Sequence, residues 1–303
     1  MGCSRKEPVP LRVGSQTWPG YEPFYVARHL GYLDEKEVRL MEYTSTSEIL
    51  RAFGNGAIDA GLITLDEALL LAQDAPDVRL VLVTDFSNGA DVIMAKPEFA
   101  SLKDLKGHRV GAETSALGAY VLLRALQLSE MKAEDVEIVP LEFAEHEAAF
   151  KKGSVDAVVT YEPTRTKLRD FGARQIFDST QIPKEIVDVL VVRAAYLEAH
   201  PETVKHLLQA YYRGRVYFKE QPLEAARIAA ARAKISPDEF LSSLDGLLLP
   251  EAEESRRMLT GQPPLLLKNT QTLAAVMREK GLLRKDVDSK ALFDESMLAR
   301  VLP

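Results

Sequence analysis

Thiol chemistry is nearly absent from this sequence: Cys3 is the single cysteine among 303 residues. A disulfide within the chain and a cluster of thiolate metal ligands are therefore both excluded. The five histidines, His29, His108, His146, His200 and His206, show no metal-ligand spacing, and His200 and His206 fall on different faces of a helix. No metal and no cofactor is expected. No apolar run approaches the ~18–20 residues that a bilayer-spanning helix needs; runs such as 189–192 have the length of a buried strand. Basic residues are in the minority, 38 Lys+Arg against 45 Asp+Glu, for a net charge of -7. No concentrated positive face is visible, so no nucleic-acid partner is expected. Phosphate-loop and Gly-x-Ser-x-Gly signatures are missing. Gly54-Asn55-Gly56 falls short of a dinucleotide loop, because Asp59 stands where the third glycine belongs and the segment follows a helix. No residue is assigned a catalytic role, and the chain is not expected to be an enzyme.

What the sequence has is a strand–helix alternation that occurs twice. Residues 11–14 read as a buried strand, Trp18-Pro19-Gly20-Tyr21 as a turn, and 23–30 as a helix that Gly31 can end. A strand over 38–43 follows. Ser45 and Glu48 then have capping-box spacing for a helix through Phe53, with Gly56 beyond it and a strand over 58–64. The order returns as a strand at 109–111, a helix over 115–128, a strand at 136–139, a helix ending before Gly153 and a strand at 155–160. Displacing the chain on itself by 97 residues gives fourteen gap-free identities between residues 12 and 92, among them Arg12/Arg109, Gly14/Gly111, Gly56/Gly153, Asp59/Asp156 and Asp91/Asp188. Ordinary composition gives roughly five. The expected fold class is α/β with two lobes, each a mainly parallel sheet flanked by helices, joined by a two-strand hinge. Beyond about residue 194 the chain reads as helical, with starts at His200-Pro201 and Ser236-Pro237-Asp238-Glu239 and a break at Gln262-Pro263-Pro264. The economical arrangement puts 9–88 plus 192–303 in one lobe and 92–188 in the other. The hinge crossings then lie near 89–93 and 187–191.

Parallel α/β sheets bind ligands beyond the carboxyl ends of their strands, where loops and helix starts converge. That rule selects Trp18 and Tyr21 after the first strand, and Thr64 and Asp66 after the third. In the second unit it selects Thr114 and Ser115, which open a helix with free N–H groups, and Tyr161 with Glu162. Asp91 and Asp188 lie at the predicted crossings. Thr114 and Ser115 also suit plain helix caps, and Asp59 and Asp156 suit turn-holding hydrogen bonds. These loops are rich in carboxylates, and Arg165 is their nearest cation. A small nitrogen-containing ligand, a flat heterocycle or an amine that stacks on Trp18 or Tyr161, is the expectation.

The run from Thr17-Trp18-Pro19-Gly20-Tyr21 through Glu22-Pro23-Phe24-Tyr25-Val26-Ala27 resembles the opening of the nitrate/sulfonate/taurine-type solute-binding proteins of ABC importers, a broad family that includes binders of thiamine-pyrimidine precursors. Further matching pieces, in order, are Gly56-Ala57-Ile58-Asp59-Ala60, Ser87-Asn88-Gly89-Ala90-Asp91, Gly153-Ser154-Val155-Asp156-Ala157 and Tyr161-Glu162-Pro163. The resemblance implies a type II periplasmic-binding-protein fold that closes on a small-molecule ligand by hinge motion. It also implies delivery to a membrane permease driven by a separate ATPase, by a protein expected to be monomeric. Met1-Gly2-Cys3-Ser4 resembles the remnant of a bacterial lipoprotein cleavage site. Cys3 is then the lipidated residue, 1–8 a tether, and the location periplasmic or cell-surface, with the lipid as the only membrane contact. Other readings stay open: a sulfonate- or nitrate-type anion binder, a menaquinone-pathway type enzyme of the same fold, or a sensory protein that presents its ligand to a receptor. The pyrimidine synthase of this fold carries a cysteine-rich motif that Cys3 alone cannot supply.

Overall fold

Runs of Val, Ile and Leu between the helical segments assemble into two separate sheets in the computed structural model, which describes residues 9–114, 117–294 and 300. The strands are β1 (Leu11–Ser15), β2 (Val38–Glu42), β3 (Ala60–Thr64), β4 (Val78–Ser87), β5 (Val92–Ala95), β6 (Arg109–Ala112), β7 (Glu137–Pro140), β8 (Ala157–Thr160), β9 (Arg174–Asp178), β10 (Val187–Arg193) and β11 (Leu247–Leu248). The helices are α1 (Glu22–His29), α2 (Thr46–Gly54), α3 (Leu65–Ala72), α4 (Leu117–Leu128), α5 (His146–Lys151), α6 (Thr164–Asp170), α7 (Ala194–Ala199), α8 (Pro201–Glu220), α9 (Pro222–Ala233), α10 (Pro237–Leu244), α11 (Ala252–Leu259) and α12 (Leu265–Glu279). One sheet has the order β11-β4-β10-β3-β1-β2, the other β7-β6-β8-β5-β9.

The 97-residue repeat is physical. Val13 pairs with Ala60 in the first sheet, and Val110 pairs with Ala157 in the second. Arg12 holds the turn before β3: its Nε donates to Asp59 Oδ2 at 2.7 Å and its guanidinium to the Gly56 carbonyl at 2.9 Å. Arg109 repeats the arrangement on Asp156 and the Gly153 carbonyl at 3.1 and 2.9 Å. Asp59 and Asp156 therefore hold turns, as their spacing suggested.

The last strand of each repeat is exchanged. β5 closes the first repeat in sequence, yet it pairs antiparallel with β8 and β9 in the second sheet. β10 closes the second repeat and pairs antiparallel with β3 and β4 in the first. Both inserted strands are buried almost throughout, which is why they read as near-continuous apolar runs, broken in β10 by Asp188 before the closing Arg193, and not as alternating ones. The outward crossing lies between Ser87 and Val92, near the expected 89–93. The return crossing is displaced from expectation. Residues 187–193 are a full strand of the first sheet, so the chain changes sheets over 179–186, and the stretch expected at 187–191 is not the connection. The reason is the slot between β3 and β4, which needs every residue of that apolar run.

From α7 onward the helices pack around the first sheet. α8 lies on α1 closely enough that a Cβ on Gly214 would sit 2.1 Å from the Pro23 carbonyl oxygen, so glycine is required there. Ser255 of α11 accepts from the Val83 amide at 3.0 Å and ties that helix to β4. Among the described residues no helix is long and apolar enough to cross a membrane.

Candidate ligand-binding cleft

The two sheets face each other at the ends where β1 and β3, and β6 and β8, finish. Gln16 follows β1, Thr64 ends β3, Glu113 follows β6 and Tyr161 follows β8, while Asp91 precedes β5 and Asp188 begins β10. These six line one small cavity together with Trp18, Thr46, Glu67 and Leu117. They are three repeat-related pairs at the 97-residue displacement: Gln16/Glu113, Thr64/Tyr161 and Asp91/Asp188. The cavity encloses about 20 Å³, room for little more than one water molecule. The two sides meet across it, with the Trp18 ring edge-on to the Tyr161 ring at 5.6 Å.

Local packing fixes the aromatic pair. Trp18 Nε1 donates to the Asp85 carboxylate at 3.2 Å. Gly20 lets that turn approach, since a Cβ there would lie 1.9 Å from an Asp85 oxygen. Tyr161 is held from behind by Phe143, stacked at 4.2 Å with an interplanar angle of 3°. His146 packs edge-on to Phe143 and lies 3.2 Å from the Thr160 hydroxyl; burial pushes its pKa down to about 4, so it remains neutral.

Carboxyl groups dominate the electrostatics, and among the described residues no Lys, Arg or His lines the cavity. Burial pushes Asp91 up to about 7, with the charges of Asp85 and Asp66 adding to the effect. Burial likewise pushes Glu113 up to about 7, with Glu142 adding to it. Asp85 and Asp188 are directly opposed across β4 and β10, and burial raises both well above the carboxylate range. The Tyr21 hydroxyl donates to Asp188. Asp66 and Glu67, adjacent at the start of α3, are raised in the same way by burial. Glu67 also accepts from the Thr64 amide at 2.8 Å, which caps α3. Among the described residues no group of three or more His, Cys, Asp or Glu is arranged to hold a metal ion.

Of the residues selected from sequence, Trp18, Thr64, Asp91, Tyr161 and Asp188 line the cavity. Tyr21 and Asp66 are buried beside it without lining it. Glu162 turns away: it accepts from the Thr166 amide and hydroxyl at 3.2 Å and lies 3.7 Å from Arg165. Arg165 itself reaches out to Gln175. Thr114 is exposed and off the cavity, because the chain turns outward immediately after Glu113. Ser115 and Cys3 lie outside the described residues. Sequence reasoning passed over Glu67 and Glu113 as contacts, and Thr46 and Leu117 gave no signal. Glu113 was detectable: it occupies the repeat position of Gln16.

Two sheets with reciprocally exchanged strands, and a polar and aromatic cavity between their carboxyl ends, define the fold of the periplasmic binding proteins. The aliphatic sulphonate binding protein SsuA of Escherichia coli has that fold, with a TM-score of 0.77 at 22% identity over 95% of this chain and 92% of that one. The chain belongs to the NMT1/THI5 like family, whose match spans residues 18–225. Among curated relatives, the taurine-binding periplasmic protein of E. coli K12 is 27% identical over 54% of this chain and 52% of its own length. A putative aliphatic sulfonates-binding protein of the same strain is 28% identical over 67% of this chain and 63% of its own length. The matches thus span between half and two thirds of these two relatives.

Proposed function

We propose that this chain is the extracytoplasmic solute-binding subunit of an ABC importer. It closes its two lobes, about 9–88 plus 187–294 and about 92–178, on a small nitrogen-containing solute, a heterocycle or an amine, and passes that solute to a permease with its ATPase. The observation that carries this reading is the cavity between the sheets, where Trp18, Asp91, Tyr161 and Asp188 meet from opposite repeats. A solute touching both sides favours the closed arrangement over the open one by its differential contacts, which is how binding becomes a signal a permease can read. Carboxylates accept hydrogen bonds and attract positive charge, and the flat faces of Trp18 and Tyr161 suit a planar nitrogen compound. The protein acts as a monomer, and Cys3 is the proposed point of lipid attachment on the outer side of the membrane.

The taurine- and sulfonate-binding relatives favour a second reading, a sulfonate binder, and one experiment separates the two. In a thermal-shift panel of amines, pyrimidines, sulfonates and oxyanions, a solute at 100 times its Kd adds about 2.7 kcal/mol of stability. The first reading expects that shift with a nitrogen compound. A shift with sulfonates alone selects the second, and turnover of a solute into product would overturn both. Mass spectrometry of the membrane-extracted protein tests Cys3, since a diacylglyceryl adduct there is the expected result.

A further inference from the structure

Six buried polar atoms on residues that line the cavity have no hydrogen-bond partner among the described residues: the acceptors Gln16 Oε1, Asp91 Oδ2, Glu113 Oε1 and Asp188 Oδ2, and the Thr64 and Tyr161 hydroxyls. Asp91, Glu113 and Asp188 are each at least nine-tenths buried. A buried acceptor left unmatched is costly, so a group that satisfies all four acceptors at once gains what each has lost. Their arrangement is not random. Gln16 and Glu113 are the residues immediately after the first strand of each repeat, and Asp91 and Asp188 flank the starts of the exchanged strands β5 and β10. The acceptors therefore fall into two repeat-related pairs, approached from opposite sides of the cavity.

Their charge is as telling as their direction. Glu67, Asp91, Glu113 and Asp188 line the cavity from α3, the outward crossing, the β6 loop and β10. Behind them stand Asp66 on α3, Asp85 on β4 and Glu142 beyond β7, all reinforcing the negative field, with the Tyr21 and Tyr161 hydroxyls beside them. Arg215 partly offsets the charge of Asp85, and its guanidinium is engaged by the Pro250 carbonyl at 2.6 Å and by Glu251 at 3.6 Å.

Resting on the solute-binding reading above, we infer that the solute is a compact cation carrying N–H donors on two opposed edges, and that Glu113, facing Glu67 and Asp188 from the other lobe, is the residue that makes closure conditional on positive charge. Once these carboxyls are ionised, like charges on the two lobes oppose their approach; a bridging cation favours the ionised forms and turns the same groups into the closing force.

Titration calorimetry of the full chain at pH 8 tests this with guanidinium, 4-aminopyridine and putrescine as two-edged cations, benzamidine as a one-edged cation, uracil as a neutral solute and ethanesulfonate as an anion. At least one two-edged cation should bind at least tenfold more tightly than benzamidine and uracil. Glu113→Gln, which keeps shape and hydrogen bonding, should weaken that cation at least tenfold, and Asp91→Asn provides a second variant, each checked for folding by thermal melting. Unchanged cation affinity in both folded variants would overturn the inference. Binding of ethanesulfonate without any cation would overturn it while leaving the solute-binding reading in place. Silence across the whole panel, with melting temperatures also unmoved, would count against both.

Discussion

The two repeats share a scaffold and diverge where they face each other. Arg12 on Asp59 and Arg109 on Asp156 hold the same turn in the same way, and β1–β3 and β6–β8 keep the same register. At the cavity, the first repeat contributes Gln16, Thr64 and Asp91 and the second Glu113, Tyr161 and Asp188. Identity is kept where the backbone needs an anchor. At the cavity it is relaxed at two of these three paired positions, Gln16/Glu113 and Thr64/Tyr161, while Asp91 and Asp188 stay alike and the first repeat adds Trp18 and Glu67. Two walls of one parentage can thus hold a solute that is not symmetric.

The sharpest test of that asymmetry is at Thr64 and Tyr161. Tyr161→Ala should cost about 3 kcal/mol of stability, since the ring is buried between Phe143 and Trp18, and should weaken solute binding at least tenfold. Thr64→Ala at the equivalent position should cost about 1 kcal/mol or less. Urea denaturation and calorimetry read both, and equal effects would break the comparison. Trp18→Ala should weaken binding on the scale of Tyr161→Ala.

The scaffold clamps should respond more alike. Arg12→Ala removes the guanidinium that Asp59 and the Gly56 carbonyl share, at an expected cost of about 2 kcal/mol. Arg109→Ala should cost about half of that, because Asp156 keeps Lys96 at 2.6 Å. Against the cost of burial, Arg109 and Lys96 together hold the Asp156 carboxyl well below the usual range. The double change Arg109→Ala with Lys96→Ala should then exceed Arg12→Ala.

A pH dependence that opposes the usual carboxylate pattern tests the cavity without any substitution. Asp91, Glu113 and Glu22 are each raised by burial to about 7 in the folded chain. The folded state therefore binds more protons than the unfolded one between about pH 4 and 8, so stability falls as pH rises through 7. The solute-free protein should melt a few degrees higher at pH 5.5 than at pH 8. A bound cation, which favours the ionised carboxylates, should narrow that gap and bind more weakly at pH 5.5. A melting temperature that rises with pH over this interval would contradict the shifts.

Much of this was legible in the sequence. Capping residues and glycines located the helix ends, and the displaced identities exposed the repeat, because strand starts and tight turns tolerate few residue types. The rule that loops at strand ends bind ligands pointed to Trp18, Thr64 and Tyr161, and the predicted crossings to Asp91 and Asp188, and all five line the cavity. Glu113 lies one residue before Thr114, the residue that suits the helix opening, and Glu67 sits one residue beyond Asp66 in the first turn of α3. The misplaced return crossing has a different origin. The run at 189–192 is apolar throughout, and nothing local in such a run says which sheet it will enter; only the gap between β3 and β4 decides.

That gap has a consequence for how the chain comes to fold. Until residue 193 has left the ribosome, the first sheet lacks a central member, with β3 and β4 unable to bond through it. The early half must wait for the late half before it can consolidate, and such long-range pairing slows folding. Cutting the gene between the repeats would yield two fragments that each lack their own keystone and carry their neighbour's.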